Sequence, residues 1–121
     1  METEIELRIQ KTIAGHNARN ASLKQLLIER NVDICSPRPI DFHFYVASQT
    51  DADRLVNALR LRGLTILVNR RAARPNPDLP WNVEAQVAQS VELTIQPEFT
   101  EDLVRLAESY NGTYDGWGTL I

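Results

Sequence analysis

The chain contains only one cysteine and two histidines among its 121 residues. The single cysteine, Cys35, cannot form an internal disulfide, so nothing in the sequence requires an oxidising compartment. His16 and His43 lie far apart, and neither has a second cysteine or histidine nearby at the spacing of zinc ligands. We therefore expect no metal site.

The motifs of common enzyme classes are absent too. The sequence contains no P-loop, no Rossmann glycine pattern and no G-x-S-x-G nucleophile turn. Glu101 and Asp102 fall in the first turn of an expected helix, where the helix dipole favours negative charge, so they do not indicate acid–base catalysis. We expect a protein that is not an enzyme and uses no cofactor.

Long hydrophobic runs are also missing. No apolar stretch approaches the length of a membrane-spanning helix, and the N-terminal sequence METEIELRIQK lacks the basic start and apolar core of a signal peptide. The composition, 43% hydrophobic and 24% charged, is that of an ordinary globular domain. We expect a cytoplasmic protein with no membrane partner.

Charge is distributed unevenly along the chain, whose net charge is −3. Residues 1–74 contain twelve Lys or Arg against eight Asp or Glu, whereas residues 75–121 contain only Arg105 against eight acids. Because phosphate contacts dominate nucleic-acid affinity, this balance disfavours direct nucleic-acid binding. It favours a basic protein partner for the acidic C-terminal part.

Helical spacing of apolar residues extends over residues 2–30, as one bent helix or as two consecutive helices. We predict that residues 1–20 form a helical extension and that residues 21–121 form one α+β domain. Two roles for the extension remain open. It could associate with a second copy and form an oligomer, or it could lie across the core of its own domain.

Two-residue alternation predicts three strands, at 40–47, 64–68 and 81–95. The first has one apolar face that begins at Ile40. The second is apolar on both faces, which predicts that it is well buried. The third keeps its parity past Gln89, which predicts one long strand with a bend near that residue.

Two helices are predicted among these strands. Thr50 is the expected N-cap of the first, which ends at Gly63, and Thr100 is the expected N-cap of the second, which ends at Asn111-Gly112. Residues 69–80 are an expected loop. The order predicts a ferredoxin-like split βαβ sandwich, an antiparallel sheet with helices on one face, preceded by an N-terminal helix.

Two groups of surface residues are candidates for binding. Tyr and Trp beside charged residues are typical of protein interfaces, and six such positions are predicted to bind protein: Asp41, His43, Tyr45, Tyr114, Asp115 and Trp117. Asp115-Gly116 is a predicted turn that packs Trp117 against the domain. The second group, three arginines in the expected loop, could bind an anion or RNA, although a solvated loop or pairing with the acidic half of the same chain is favoured: Arg70, Arg71 and Arg74.

The C-terminal run LVRLAESYNGTYDGWG, residues 103–118, resembles the signature of a known family, the regulator of ribonuclease activity B. Parallels upstream are the strand Ile40–Phe44, the helix running into Gly63, and Trp81-x-Val83. The resemblance implies a ferredoxin-like, non-enzymatic cytoplasmic protein that binds ribonuclease E and lowers its RNA-cleaving activity. By resemblance, the contact is with the enzyme's arginine-rich, non-catalytic scaffold, which suits the acidic C-terminal part.

Two other functions remain open from the residues alone. One is a small-molecule-sensing domain, with a ligand between the sheet and the loop 69–80. The other is a weak RNA-binding adaptor that uses the three arginines of that loop.

Overall fold

The computed structural model describes residues 3–120. The elements in chain order are α1 (Glu4–Glu29), β1 (Arg38–Val46), α2 (Gln49–Leu61), β2 (Thr65–Arg71), β3 (Trp81–Gln89), α3 (Val91–Thr94), α4 (Pro97–Ser109) and β4 (Gly112–Gly118). The strands form one antiparallel sheet in the order β2-β3-β1-β4. The predicted α+β fold, with an N-terminal helix before a ferredoxin-like order of elements, is confirmed. No helix within residues 3–120 has the length and apolar character needed to cross a bilayer.

The core lies between one face of the sheet and the helices. The predicted apolar face of β1 is confirmed, since Ile40 and the alternate residues up to Val46 are fully buried. Helix α2 packs Leu55 and Leu59 into this core, and α4 contributes Leu103. The other face of the sheet carries half-exposed polar side chains.

Helix α1 is a single helix, so of the two predicted alternatives one helix, rather than two consecutive helices, is confirmed. Residue 2, where the prediction began, lies outside the described residues. Ile9 and Ile13 are buried in the shared core, and α1 packs against α4. The helix runs without a break through residue 20, while the division into an extension and a domain stays a prediction. Self-association through α1 stays a prediction as well.

The prediction that the second strand is well buried was wrong. β2 pairs only with β3 and lies at the edge of the sheet, and Leu67 is 48% exposed. The strand also continues to Arg71, so the loop begins at residue 72 rather than at 69. A strand that is apolar on both faces is typical of the middle of a parallel sheet covered on both sides. In β2, Leu67 lies where the register with β3 shifts, and its side chain is exposed to solvent.

The prediction of one long strand over 81–95 was also wrong. β3 ends at Gln89, and the Ser90 side chain accepts a hydrogen bond from the Leu93 backbone N–H at 3.1 Å, which caps the short helix α3. In that helix Val91 is buried and Leu93 is exposed. Because α3 has only four residues, its apolar side chains cannot show the 3.6-residue period of a helix. In the sequence they continue the two-residue alternation of β3.

Both predicted N-caps shift in the structure. α2 begins at Gln49, where the Ser48 side chain rather than Thr50 accepts from the Asp51 N–H at 3.1 Å. α4 begins at Pro97, whose fixed φ suits a first helical turn, and Thr100 is buried inside the helix. Both predicted helix ends are confirmed, with Gly63 at φ 85° and Asn111 at φ 57° in the left-handed region.

The predicted turn at Asp115-Gly116 was wrong, because β4 runs through both residues. Its register with β1 shifts between His43 and Phe44, and Gly116 has φ 120°. These features describe a β-bulge in which Asp115 is the extra residue. The packing predicted for Trp117 is confirmed, since its indole rests against the core and donates to Asn20 Oδ1 at 3.0 Å.

Candidate binding face of the sheet

The face of the sheet opposite the core, which we term the open face, is built by strand register. Its members alternate with core residues along each strand: Asp41, His43, Tyr45, Thr65, Val68, Arg70, Asn82, Glu84, Gln86, Thr113 and the bulge residue Asp115. One row crosses all four strands, because Arg70 lies opposite Asn82, Asn82 opposite Tyr45, and Tyr45 opposite Thr113. We call this the cross-strand row.

Four of the six residues predicted to bind protein lie together on the open face. Asp41, His43 and Tyr45 follow one another on β1, and Asp115 stands on the neighbouring strand β4. They are half-exposed or exposed, so a partner could reach them without any helix moving. Their strands are central or adjacent to the centre of the sheet, which gives them rigid positions.

The sequence did not single out Glu84, which belongs to the same surface. Its carboxylate Oε1 lies 2.6 Å from His43 Nδ1, and beside this pair Gln86 Nε2 donates to Asp41 Oδ1 at 2.7 Å. Glu84 has the polar parity of β3, which was visible in the sequence. Its place opposite His43 depends on the pairing of β1 with β3, which no local pattern encodes.

The other two predicted residues, Tyr114 and Trp117, lie on the core face. Tyr114 is 3% exposed, and its ring stacks on the His16 ring with centroids 4.8 Å apart. Burial, with a smaller contribution from the Asp115 charge, raises the pKa of Tyr114 well above its ordinary value. The structure therefore brings these two aromatics to α1 and not to the open face.

His16 is a buried residue whose role the sequence did not indicate. Its Nε2–H donates to the Tyr114 backbone oxygen at 2.9 Å, while Nδ1 accepts from Arg19 Nη2 at 3.1 Å. Burial lowers the pKa of His16, opposed by the bond to the Tyr114 carbonyl. A neutral imidazole with its proton on Nε2 satisfies both contacts.

The three predicted anion-binding arginines separate in the structure. Arg70 and Arg74 line a cavity of about 640 Å³ over the open face, which Tyr45, Asn82, Thr113 and Asp115 also line. Arg71 lies opposite Trp81, with the parity of the core side of the sheet. The segment over the cavity, residues 72–80, is closed at its base by a hydrogen bond from the Ala72 N–H to the Pro80 oxygen at 2.9 Å.

The acids of the C-terminal part divide between two surfaces. On α4 they form ion pairs with basic residues: Glu101 with Arg105, Asp102 with Arg62, and Glu108 with Arg8. Arg105 also contacts Glu6 of α1 at 2.8 Å, and this bond lowers the pKa of Glu6 to about 2. Three of the four acids of α4 are therefore paired with arginines within the molecule.

Three acids of the open face keep their negative charge, while Arg70 lies on the same face. Asp41, Glu84 and Asp115 form no ion pair with a lysine or arginine of residues 3–120. We call these three residues the acidic strip. Their carboxylates can accept bidentate hydrogen bonds from guanidinium groups of a partner.

Other chemistry finds little support in the described part of the chain. Residues 3–120 contain no cluster of three side chains suited to hold a metal ion. The Cys35 thiol lies 3.0 Å from a Glu92 carboxylate oxygen, and this contact raises its pKa, whereas a nucleophilic cysteine requires a lowered one.

Comparison with known protein families gives one match. The model of the family described as regulator of ribonuclease activity B matches residues 17–119. The matched region begins within α1 and includes all four strands. No curated protein matches the chain.

Proposed function

The chain belongs to the regulator of ribonuclease activity B family, and from that premise we propose that it binds ribonuclease E and lowers its RNA-cleaving activity. In this proposal the protein is cytoplasmic and acts without catalysis of its own. The observation that carries the proposal is the family match over residues 17–119. The fold adds a surface suited to a basic protein partner.

The proposed contact surface is the acidic strip together with Tyr45. The strip offers three carboxylates that no lysine or arginine of residues 3–120 neutralises. An arginine-rich segment would find both charge complementarity and, at Tyr45, an aromatic ring on which a guanidinium can stack. Complementary charge of this kind raises the rate of association with a basic partner and selects it over acidic proteins.

The helix layer is a poorer candidate for the same partner. Three acids of α4 already bind arginines, so a partner would have to displace these bonds: Glu101 binds Arg105, Asp102 binds Arg62 and Glu108 binds Arg8. On the open face, no lysine or arginine of residues 3–120 would have to be displaced from the acidic strip. This difference favours the sheet as the proposed contact surface, and it gives the test its matched control.

The test measures RNA cleavage by ribonuclease E with and without a molar excess of this protein. We expect slower cleavage by the enzyme that retains its arginine-rich scaffold, and no change for the catalytic half alone. In the variant Asp41→Asn/Asp115→Asn the inhibition should weaken and become less sensitive to salt. The control Glu29→Gln/Glu98→Gln removes the same charge from exposed positions of α1 and α4.

Two results would count against the proposal in different ways. If neither form of the enzyme slows and no complex forms, the proposed function is wrong. If cleavage slows but both double variants inhibit as the wild type does, the function stands and the open face is not the contact surface.

A further inference from the structure

The cavity over the open face combines features that the proposed protein contact does not use. Its floor is the cross-strand row, and its cover is the segment of residues 72–80, which contributes apolar contacts from Ala72, Ala73 and Leu79. Its volume, about 640 Å³, falls within the range of roughly 300–1,000 Å³ that is typical of small-molecule sites. The inference drawn from it does not depend on the binding of ribonuclease E.

Charge is ordered from one end of this cavity to the other. Arg70 on β2 and Arg74 in the segment of residues 72–80 both line the cavity, and neither forms an ion pair with an acid of residues 3–120. Asp115 lies at the β4 end. Strands in a sheet are about 4.8 Å apart, so three steps separate the backbones at these two ends by roughly 14 Å.

The middle of the row carries an unsatisfied acceptor beside an aromatic ring. Asn82 Oδ1 is buried and has no hydrogen-bond partner among the described residues. Buried polar atoms are nearly always paired, and an unpaired one lowers stability. Tyr45, directly opposite Asn82 on β1, lines the same cavity.

We propose that this cavity binds a nucleoside monophosphate unit, with its phosphate between Arg70 and Arg74 and its base over Tyr45. Two guanidinium groups match the geometry of a phosphate. An aromatic side chain offers a stacking surface to any base. The donors of a base edge or a ribose can reach the Thr113 hydroxyl and the Asp115 carboxylate, whose residues line the same cavity.

Two simpler occupants fit the cavity less well. An arginine side chain of a partner protein could meet Asp115 and Tyr45, but it would leave Arg70 and Arg74 of the same cavity without a counter-charge. An inorganic anion would satisfy the arginines and leave Tyr45 and Asp115 without a contact. A phosphorylated nucleoside addresses both ends and the middle of the row.

The test is a titration of the full chain, followed by amide chemical shifts in NMR spectra. The probes are the 5′- and 3′-monophosphates of the four ribonucleosides, the four nucleosides, and inorganic phosphate. We expect saturable shifts along the cross-strand row. At least one nucleotide should bind about tenfold or more tightly than its nucleoside or phosphate, because each end of the cavity contributes.

Variants test the contribution of the two arginines and that of the Tyr45 ring separately. Arg70→Ala/Arg74→Ala should weaken nucleotide binding by roughly tenfold or more, as expected for loss of charged hydrogen bonds. The control Arg60→Ala/Arg71→Ala removes equal charge away from the cavity and should bind as the wild type does. Tyr45→Ala should weaken nucleotide binding about 10- to 100-fold and leave phosphate binding unchanged, whereas Tyr45→Phe should retain both.

A nucleoside monophosphate unit occurs both as a free nucleotide and at the end of an RNA strand. A short oligoribonucleotide with a terminal phosphate and the same strand without it distinguish these sources. Tighter binding of the phosphorylated strand than of any mononucleotide identifies an RNA end, and the reverse order identifies a free nucleotide. The proposal is overturned if no probe gives saturable shifts in the row up to about 10 mM, or if binding survives unchanged in Arg70→Ala/Arg74→Ala.

Discussion

The His16 ring stacks on the Tyr114 ring and also donates a hydrogen bond to the Tyr114 backbone oxygen at 2.9 Å. These residues are 98 positions apart in the sequence, and their contact joins α1 to the edge strand β4. A free strand edge can pair with another chain. Because the imidazole already occupies the Tyr114 backbone oxygen, that acceptor of β4 is not free for such pairing. His16 also lies immediately before the region matched by the family, and Tyr114 lies within it.

The first prediction concerns acid sensitivity. Burial lowers the pKa of His16 below its ordinary value of 6.5, against the opposing influence of the Tyr114 carbonyl and Asp115, while the Arg19 charge lowers it further. The unfolded chain therefore binds more protons, and the free energy of unfolding should fall as the pH drops below about 6.5. Chemical denaturation between about pH 7.5 and pH 5.5 measures this slope.

A histidine variant identifies the group responsible. His16→Gln keeps an amide donor for the Tyr114 oxygen but cannot titrate, so the slope in this window should shrink. A wild-type slope that persists in His16→Gln would assign the acid sensitivity to another group.

The second prediction compares two glycines. A Cβ at Gly112 would lie 2.5 Å from the Tyr45 carbonyl oxygen and closer still to Val46 Cγ1, so Gly112→Ala should lower the free energy of unfolding by about 2 kcal/mol or more. Gly15 lies within α1 with no atom crowding it, and Gly15→Ala should stabilise by roughly 0.5–1 kcal/mol. Thermal and urea denaturation measure both, and equal effects would contradict the described packing.

The third prediction concerns the buried amide of Asn20. Its Oδ1 accepts from Trp117 Nε1 at 3.0 Å, and its Nδ2 donates to the Thr100 hydroxyl at 3.4 Å. Asn20→Ala leaves the indole N–H without this acceptor and should lower the free energy of unfolding by about 1–3 kcal/mol. It should also change the fluorescence of Trp117, which the variant Trp81→Phe isolates.

Asn17 supplies the matched control, one turn earlier on the same helix. Its Oδ1 is buried without a partner among the described residues, so Asn17→Ala removes an unpaired group and should destabilise less than Asn20→Ala does. The reverse order would mean that the bond between Asn20 and Trp117 contributes little to stability.

The fourth prediction combines the two proposals, which share Tyr45 and Asp115. A nucleotide over Tyr45 would occupy part of the surface proposed for ribonuclease E. A saturating nucleotide should therefore weaken the complex in wild type, and should have no effect in Arg70→Ala/Arg74→Ala. Competition binding with labelled protein measures this. An unchanged affinity in wild type would show that the two ligands do not compete.

Local patterns predicted much of the fold. The alternation of β1 identified its buried face, because a strand in a sheet covered by helices on one face only alternates apolar with polar side chains. Gly63 marked a helix end through its conformational freedom. The order of elements then restricted the topology to the ferredoxin-like arrangement.

What the sequence could not provide depends on pairing between distant segments. The edge position of β2 follows from the strand order, which its own residues do not encode. The partners of His43 and His16 lie 41 and 98 positions away, at Glu84 and Tyr114. The neutralisation of the α4 acids by Arg8 and Arg62 was hidden for the same reason, and it changes which surface is free to bind a basic partner.

The bulge at Asp115 also explains the spacing of the Tyr-Asp-Gly-Trp run. In a regular strand, residues three apart point to opposite sides, yet Tyr114 and Trp117 lie opposite Phe44 and Phe42 and both face the helices. The extra residue reverses the parity and presents an aspartate outward between two inward aromatics. Deleting Asp115 would leave Tyr114 and Trp117 two positions apart in a regular strand, with both rings still facing the helices. The extra residue therefore adds an outward carboxylate to the strand without changing the side on which its two aromatics pack.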